Sequence, residues 1–201
     1  SGPIDVSPNI MSIQDISDDQ GGRVYLEINR SMIDVDAHPH GIDSYTIQRF
    51  DDPNWVNLGS FGGLGEKVYY YEALTLSDSS YQDSGITGFR VIAQNYDIDI
   101  TTMSIVEYGY SIDNLAPNIP ANFNFTLNQN SIQLRWDHIS DSDFNHYEID
   151  KSADQLFETD QYGSIITSST SYIDLEYIEG ETVYYRISAL DHAGNRSAYS
   201  Q

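Results

Sequence analysis

The sequence predicts an all-β protein of two tandem antiparallel β-sandwiches, and three observations carry that prediction. Runs rich in Val, Ile, Thr and Tyr alternate apolar with polar residues between clusters of Asp, Ser, Asn and Gly, as half-buried strands do. No stretch shows the apolar spacing of a helix. One strand pattern also occurs twice, on either side of a short segment that holds two prolines.

That segment runs from Ser111 to Pro120, and its Pro117 and Pro120 forbid a central strand and stiffen the chain. It divides the 201 residues into a first domain over 1–113, a linker over 114–120 and a second domain over 121–201. Each half is long enough to bury a core of its own.

In the second domain strands are expected at Asn122 to Gln129, Ser131 to Asp137, Tyr147 to Lys151, Ser171 to Leu175 and Thr182 to Leu190, with a short one ending near Tyr199. Side chains two apart share a strand face. Phe123, Phe125 and Leu127 therefore form one apolar row and Ile132, Leu134 and Trp136 the next. Val183, Tyr185, Ile187 and Ala189 form the layer expected to face them.

The first domain repeats the scheme. Val24, Leu26 and Ile28 match Ile132, Leu134 and Trp136; Ser44 to Phe50 matches His146 to Ser152; Gly88 to Ala93 matches Tyr184 to Ala189. Such a repeat is too long for a solenoid unit and reads as domain duplication. The stretch from Asp51 to Asp83, with Trp55 and Tyr69-Tyr70-Tyr71, reads as an insert beyond a compact domain of this type.

These motifs carry a resemblance. With its proline-rich opening, the strand SIQLRW ending in Trp136, the run SDSDFNHYEIDKS and the closing VYYRISALDHAGNRSAYS, the second half resembles bacterial fibronectin type III domains over nearly all of 117 to 200. The first half is similar to more divergent modules of large secreted bacterial proteins, through the turn Asp18 to Gly22 and the closing Tyr110 to Pro117. The resemblance implies two tandem fibronectin type III-like, immunoglobulin-like sandwiches. It also marks two departures: Ile28 stands where a core Trp is expected, and Val183 where the tyrosine-corner Tyr is, with Tyr184 and Tyr185 beside it to replace it.

Thirty-one acidic residues against nine basic ones give a net charge of −22, which excludes nucleic acid and anionic membranes as partners of choice. The chain has no cysteine, hence no disulfide framework and no thiolate site. No run is long and apolar enough to insert in a membrane. Ser1-Gly2-Pro3 lacks the features of a signal peptide and reads as a vector remnant, so the segment is expected to come from a longer chain.

For calcium, the loop from Asp34 to Asp43 offers Asp34, Asp36 and Asp43, since hard cations want several carboxylates on one loop. It is not an EF-hand: Pro39 stands at the glycine position and Tyr45 at the bidentate glutamate position. The acidic run Asp141 to Asn145 departs the same way, at His146 and Ser152, and reads as turn chemistry before a strand. His38 and His40 make half a zinc site at most.

For carbohydrate, Trp55, Tyr69 and Tyr71 are the foremost candidate stacking rings, in a set that also holds Tyr70, Tyr81 and Tyr96. The glycine-rich Gly59 to Lys67 lacks phosphate-loop spacing and reads as a flexible turn between strands. No nucleophile elbow, zincin motif or paired base and carboxylate supports an enzyme. The expectation is a non-catalytic structural or interaction spacer of a larger extracellular bacterial protein, working with other domains of the same chain and needing no cofactor. The competing expectation is a module that binds polysaccharide, or a cell-surface partner through calcium.

Overall fold

A computed structural model describes residues 5–35, 41–158 and 161–200. The chain divides between Asn114 and Leu115 into two units, each with its own buried core. Every strand ladder is antiparallel, and among the described residues no helix forms.

Unit 1 contains β1 (Asn9–Asp15), β2 (Arg23–Asn29), β3 (Ser44–Asp51), β4 (Asn54–Gly62), β5 (Val68–Leu74), β6 (Thr87–Asn95), β7 (Ile100–Met103) and β8 (Glu107–Gly109). One sheet has the order β1-β2-β5; the other runs β4-β3-β6-β7, with β8 also on β6. The alternation in β2 works as read: Val24, Leu26 and Ile28 are buried while Tyr25 points out. Across the core they meet Tyr45 and Ile47 of β3 and Phe89, Val91 and Ala93 of β6. Each fully buried aliphatic or aromatic side chain is worth roughly 1.5–3 kcal/mol, so this layer dominates the unit's stability.

The stretch read as an insert is instead part of the sandwich. It supplies β4, which pairs with β3, and β5, which pairs with β2. Its glycines are not a free turn. Gly59 and Gly62 lie in β4, and a Cβ on Gly63 would sit 2.1 Å from the Ile42 carbonyl oxygen. The turn from Asp18 to Gly22 meets the closing segment: Asn114 N donates to Asp19 O at 3.1 Å, and Gln20 bridges Asp113.

Unit 2 contains β9 (Asn124–Asn128), β10 (Ser131–Arg135), β11 (Phe144–Ser152), β12 (Gln161–Thr167), β13 (Ser171–Asp174) and β14 (Tyr184–Asp191). Its sheets run β13-β10-β9 and β12-β11-β14. In both units the first, second and fifth strands make one sheet, and the fourth, third and sixth lie side by side in the other. That shared order is the fibronectin type III-like sandwich, repeated.

Three expectations for this unit need correction. Strand β12 was not anticipated; it is an edge strand, bonded only to β11, so half-exposed residues and Gly163 blur its pattern. The short strand near Tyr199 is reduced to isolated bridges, Ile187 with Ser200 and Leu190 with Arg196. Phe125 and Leu127 share a face with the buried Leu134 and Ile132, yet are 68% and 56% exposed, because β9 is the edge of its sheet. Trp136, Tyr147, Ile149, Ile187 and Ala189 form the core as the pattern implied. At the start of β14 it is Tyr185 that reaches back, its hydroxyl donating to Asp174.

Candidate functional site

The loop from Asp34 to Asp43 connects β2 to β3, and Asp34 lies buried at its start. Its Oδ1 accepts from Gly65 N at 3.0 Å. Its Oδ2 accepts from the Tyr45 hydroxyl at 2.9 Å and the Tyr69 hydroxyl at 2.6 Å. The Tyr45 hydroxyl in turn accepts from Ser31 N at 2.9 Å, and the Tyr69 hydroxyl from Leu64 N at 2.8 Å. One carboxylate thus ties the β2–β3 and β4–β5 connections to both sheets, and buried polar groups that would otherwise be orphaned are satisfied.

Burial, and then the Asp34 carboxylate, push the Tyr45 hydroxyl far above its usual range; the Ser31 N–H opposes this. Burial and the bond to Asp34 raise the Tyr69 hydroxyl as well. Both phenols remain protonated donors at any physiological pH.

Asp43 faces the same cleft as Asp34, a space of about 300 Å³ that Gly41, Gly63 and Gly65 also line. Its Oδ2 accepts from Tyr96 N at 2.6 Å. Asp36, like His38 and His40, lies outside the described residues. The structure therefore brings Asp34 and Asp43 together, and gives both carboxylates protein donors.

The three candidate stacking rings do not form one surface. Trp55 sits on the outer face of the β4-β3-β6 sheet, 5.1 Å from the Phe50 ring, with the Arg90 guanidinium 4.0 Å from its centroid. Around it the outer face carries polar pairs such as Gln48 with Asn57 and Thr46 with Ser60. Tyr69 and Tyr71 point the opposite way, into the core, where both pack on Phe61. Alternation in β5 places Tyr70 between them on the outside, where its ring is exposed.

Unit 2 has an apolar cleft of about 510 Å³, lined by Phe123, Phe125, Leu134, Phe157, Val183 and Tyr185 among others. Beside it stand two ion pairs: Lys151 to Asp174 at 2.7 Å and Arg186 to Asp150 at 2.8 Å. Burial opposes ionisation of Asp150, but its bonds from Ser164 and Arg186 prevail and hold the carboxyl below the usual range. Asp174 is lowered in the same way, by Lys151 and Tyr185 against burial. Of the histidines, His146 Nε2 lies 3.5 Å from Glu148 Oε1 on the face of β11.

Among solved structures the chain is similar to the FN1-FN3 domains of chicken CNTN1, at 16% identity over 98% of this chain and 67% of that one, with a TM-score of 0.39. It is also similar to a Fn3-like protein from Clostridium thermocellum, at 26% identity over 43% of this chain and 88% of that one, with a TM-score of 0.36. No family model and no curated protein matches the chain.

Proposed function

We propose that the chain is a non-catalytic spacer and interaction module that holds neighbouring domains of an extracellular protein apart. The observation that carries this reading is the joint between the units. In unit 1 Asn114 is tied at several points: it bonds Asp19 through backbone and side chain, and its Nδ2 donates to Asp15 Oδ2 at 3.0 Å. In unit 2 Asn118 donates through its backbone N and Nδ2 to the two carboxylate oxygens of Asp141, at 2.7 and 2.8 Å. Only Leu115, Ala116 and Pro117 separate these two anchors. So short a connection, with the φ of Pro117 locked by its ring, supports a stiff joint over a flexible tether.

The partners of such a module are other domains of its own chain. The net charge of −22 suits a surface that stays soluble and repels its copies. Small-angle scattering tests the reading. The wild-type chain is expected to give a narrow distribution of interatomic distances, and a variant with Gly-Ser-Gly-Ser inserted after Ala116 a broad one. Indistinguishable distributions would sink the spacer reading.

A further inference from the structure

We propose that Asp143 and Asp191 of unit 2 hold a single hard divalent cation, calcium by the chemistry of the seat, between the loop that leads into β11 and the loop that follows β14. This goes beyond a spacer role and uses none of the unit 1 aspartates.

The first observation is an isolated acid. Both carboxylate oxygens of Asp143 are shut off from solvent and neither has a hydrogen-bond partner. An ionised carboxylate is not left buried and uncompensated.

The second observation is what it faces. A carboxylate oxygen of Asp143 lies within 4.8 Å of one of Asp191, which is itself almost completely buried. Calcium–oxygen bonds run about 2.3–2.6 Å, so one ion can contact two oxygens at this separation. Asp191 is already aimed: its Oδ1 accepts from Gly194 N at 2.6 Å and Asn195 N at 2.8 Å, and its Oδ2 from Asn195 Nδ2 at 2.9 Å. These bonds fill Oδ1 and leave Oδ2 a free lone pair.

The duplication supplies an internal comparison. Tyr45 pairs with Ala93 in unit 1 as Tyr147 pairs with Ala189 in unit 2. On that register Asn95 stands where unit 2 has Asp191, and because a one-residue bulge between Phe144 and His146 sets Phe144 opposite Asp191, Asp143 falls at Ile42. In unit 1 the Asn95 amide donates to the Gly41 carbonyl, so protein atoms alone close the gap. Unit 2 has replaced the donor amide with a carboxylate and set a second one, that of Asp143, near it, and the two repel unless a positive charge comes between them. Of the basic side chains of this sheet and its closing segment, Lys151 pairs with Asp174, Arg186 with Asp150 and Arg196 with Glu148.

The donor set is all oxygen, which favours a hard cation over zinc or copper. With two carboxylates and water completing the shell, the affinity belongs to the class of extracellular calcium modules, a Kd on the order of 0.1–1 mM.

The test is calorimetric titration of calcium into the whole chain after chelator treatment, with D143N and D34N beside the wild type. Expected are one site in the wild type, binding at least tenfold weaker in D143N, and wild-type affinity in D34N. The wild-type melting midpoint should rise in millimolar calcium. In chelator D143N should melt no lower than wild type, because it loses no hydrogen bond and sheds a buried charge. Should D143N fail to fold, D143S takes its place. No calcium heat and no rise in midpoint, or a D143N variant that binds as wild type does, would overturn the site.

Discussion

The hydroxyl of Tyr69 donates to Asp34 Oδ2 at 2.6 Å, joining a strand of one sheet to the loop that leads into the other. Because that carboxylate also receives Tyr45 and Gly65, Asp34 works as a buried clamp whose partners all come from its own unit. Tyr69→Phe should cost about 1.5–3 kcal/mol, the usual loss for a hydrogen bond to a charged group. Asp34→Ala, which orphans three donors, should cost on the order of 3 kcal/mol or more. Both losses, measured by denaturant unfolding, should be equal in chelator and in calcium.

The duplication has preserved a second device. Tyr45 accepts a backbone N–H from Ser31, and Tyr147 accepts one from Ile139, each at 2.9 Å, so each pins the loop that follows the second strand of its unit. Tyr45→Phe and Tyr147→Phe should each cost about 1–3 kcal/mol, by leaving a buried N–H unpaired. Amide exchange should show the loosening confined to the altered unit.

Acid should destabilise unit 2 through Asp150 and Asp174, both held below the usual carboxylate range by Arg186, Lys151 and hydroxyl donors. A carboxyl with a depressed folded pKa binds fewer protons than in the unfolded chain. Its stabilisation is therefore complete above the unfolded value of about 3.9 and is lost as pH falls through the lower folded value. Melting midpoints should hold steady above pH 5 for these groups and drop below pH 4. Asp150→Asn should flatten part of that drop.

Gly63→Ala should destabilise unit 1 by about 1–3 kcal/mol, since the added methyl would meet the Ile42 backbone at 2.1 Å and only a shift of the chain can relieve it. Gly22→Ala meets no atom within 4 Å; its cost comes from the positive φ of 75° alone and should be smaller. A thermal melt of the two variants side by side checks the order.

By itself the sequence determined the class of the fold, the duplication and most of the core, because a strand writes its buried face into every second residue. Val24, Leu26 and Ile28, and again Ile132, Leu134 and Trp136, are buried as that rule requires. The rule weakens at edges, which is why β12 went unseen and why Phe125 and Leu127 stand exposed on an apolar-looking strand. It also cannot say which outward residue meets which. Trp55 and Tyr71 lie on successive strands, yet Trp55 sits on an outer face and Tyr71 packs against the core. Asp143 read as one turn residue among several, and Asp191 drew no separate reading. Only folding brings the end of one strand beside the start of another, and with it two carboxylates that no local pattern links.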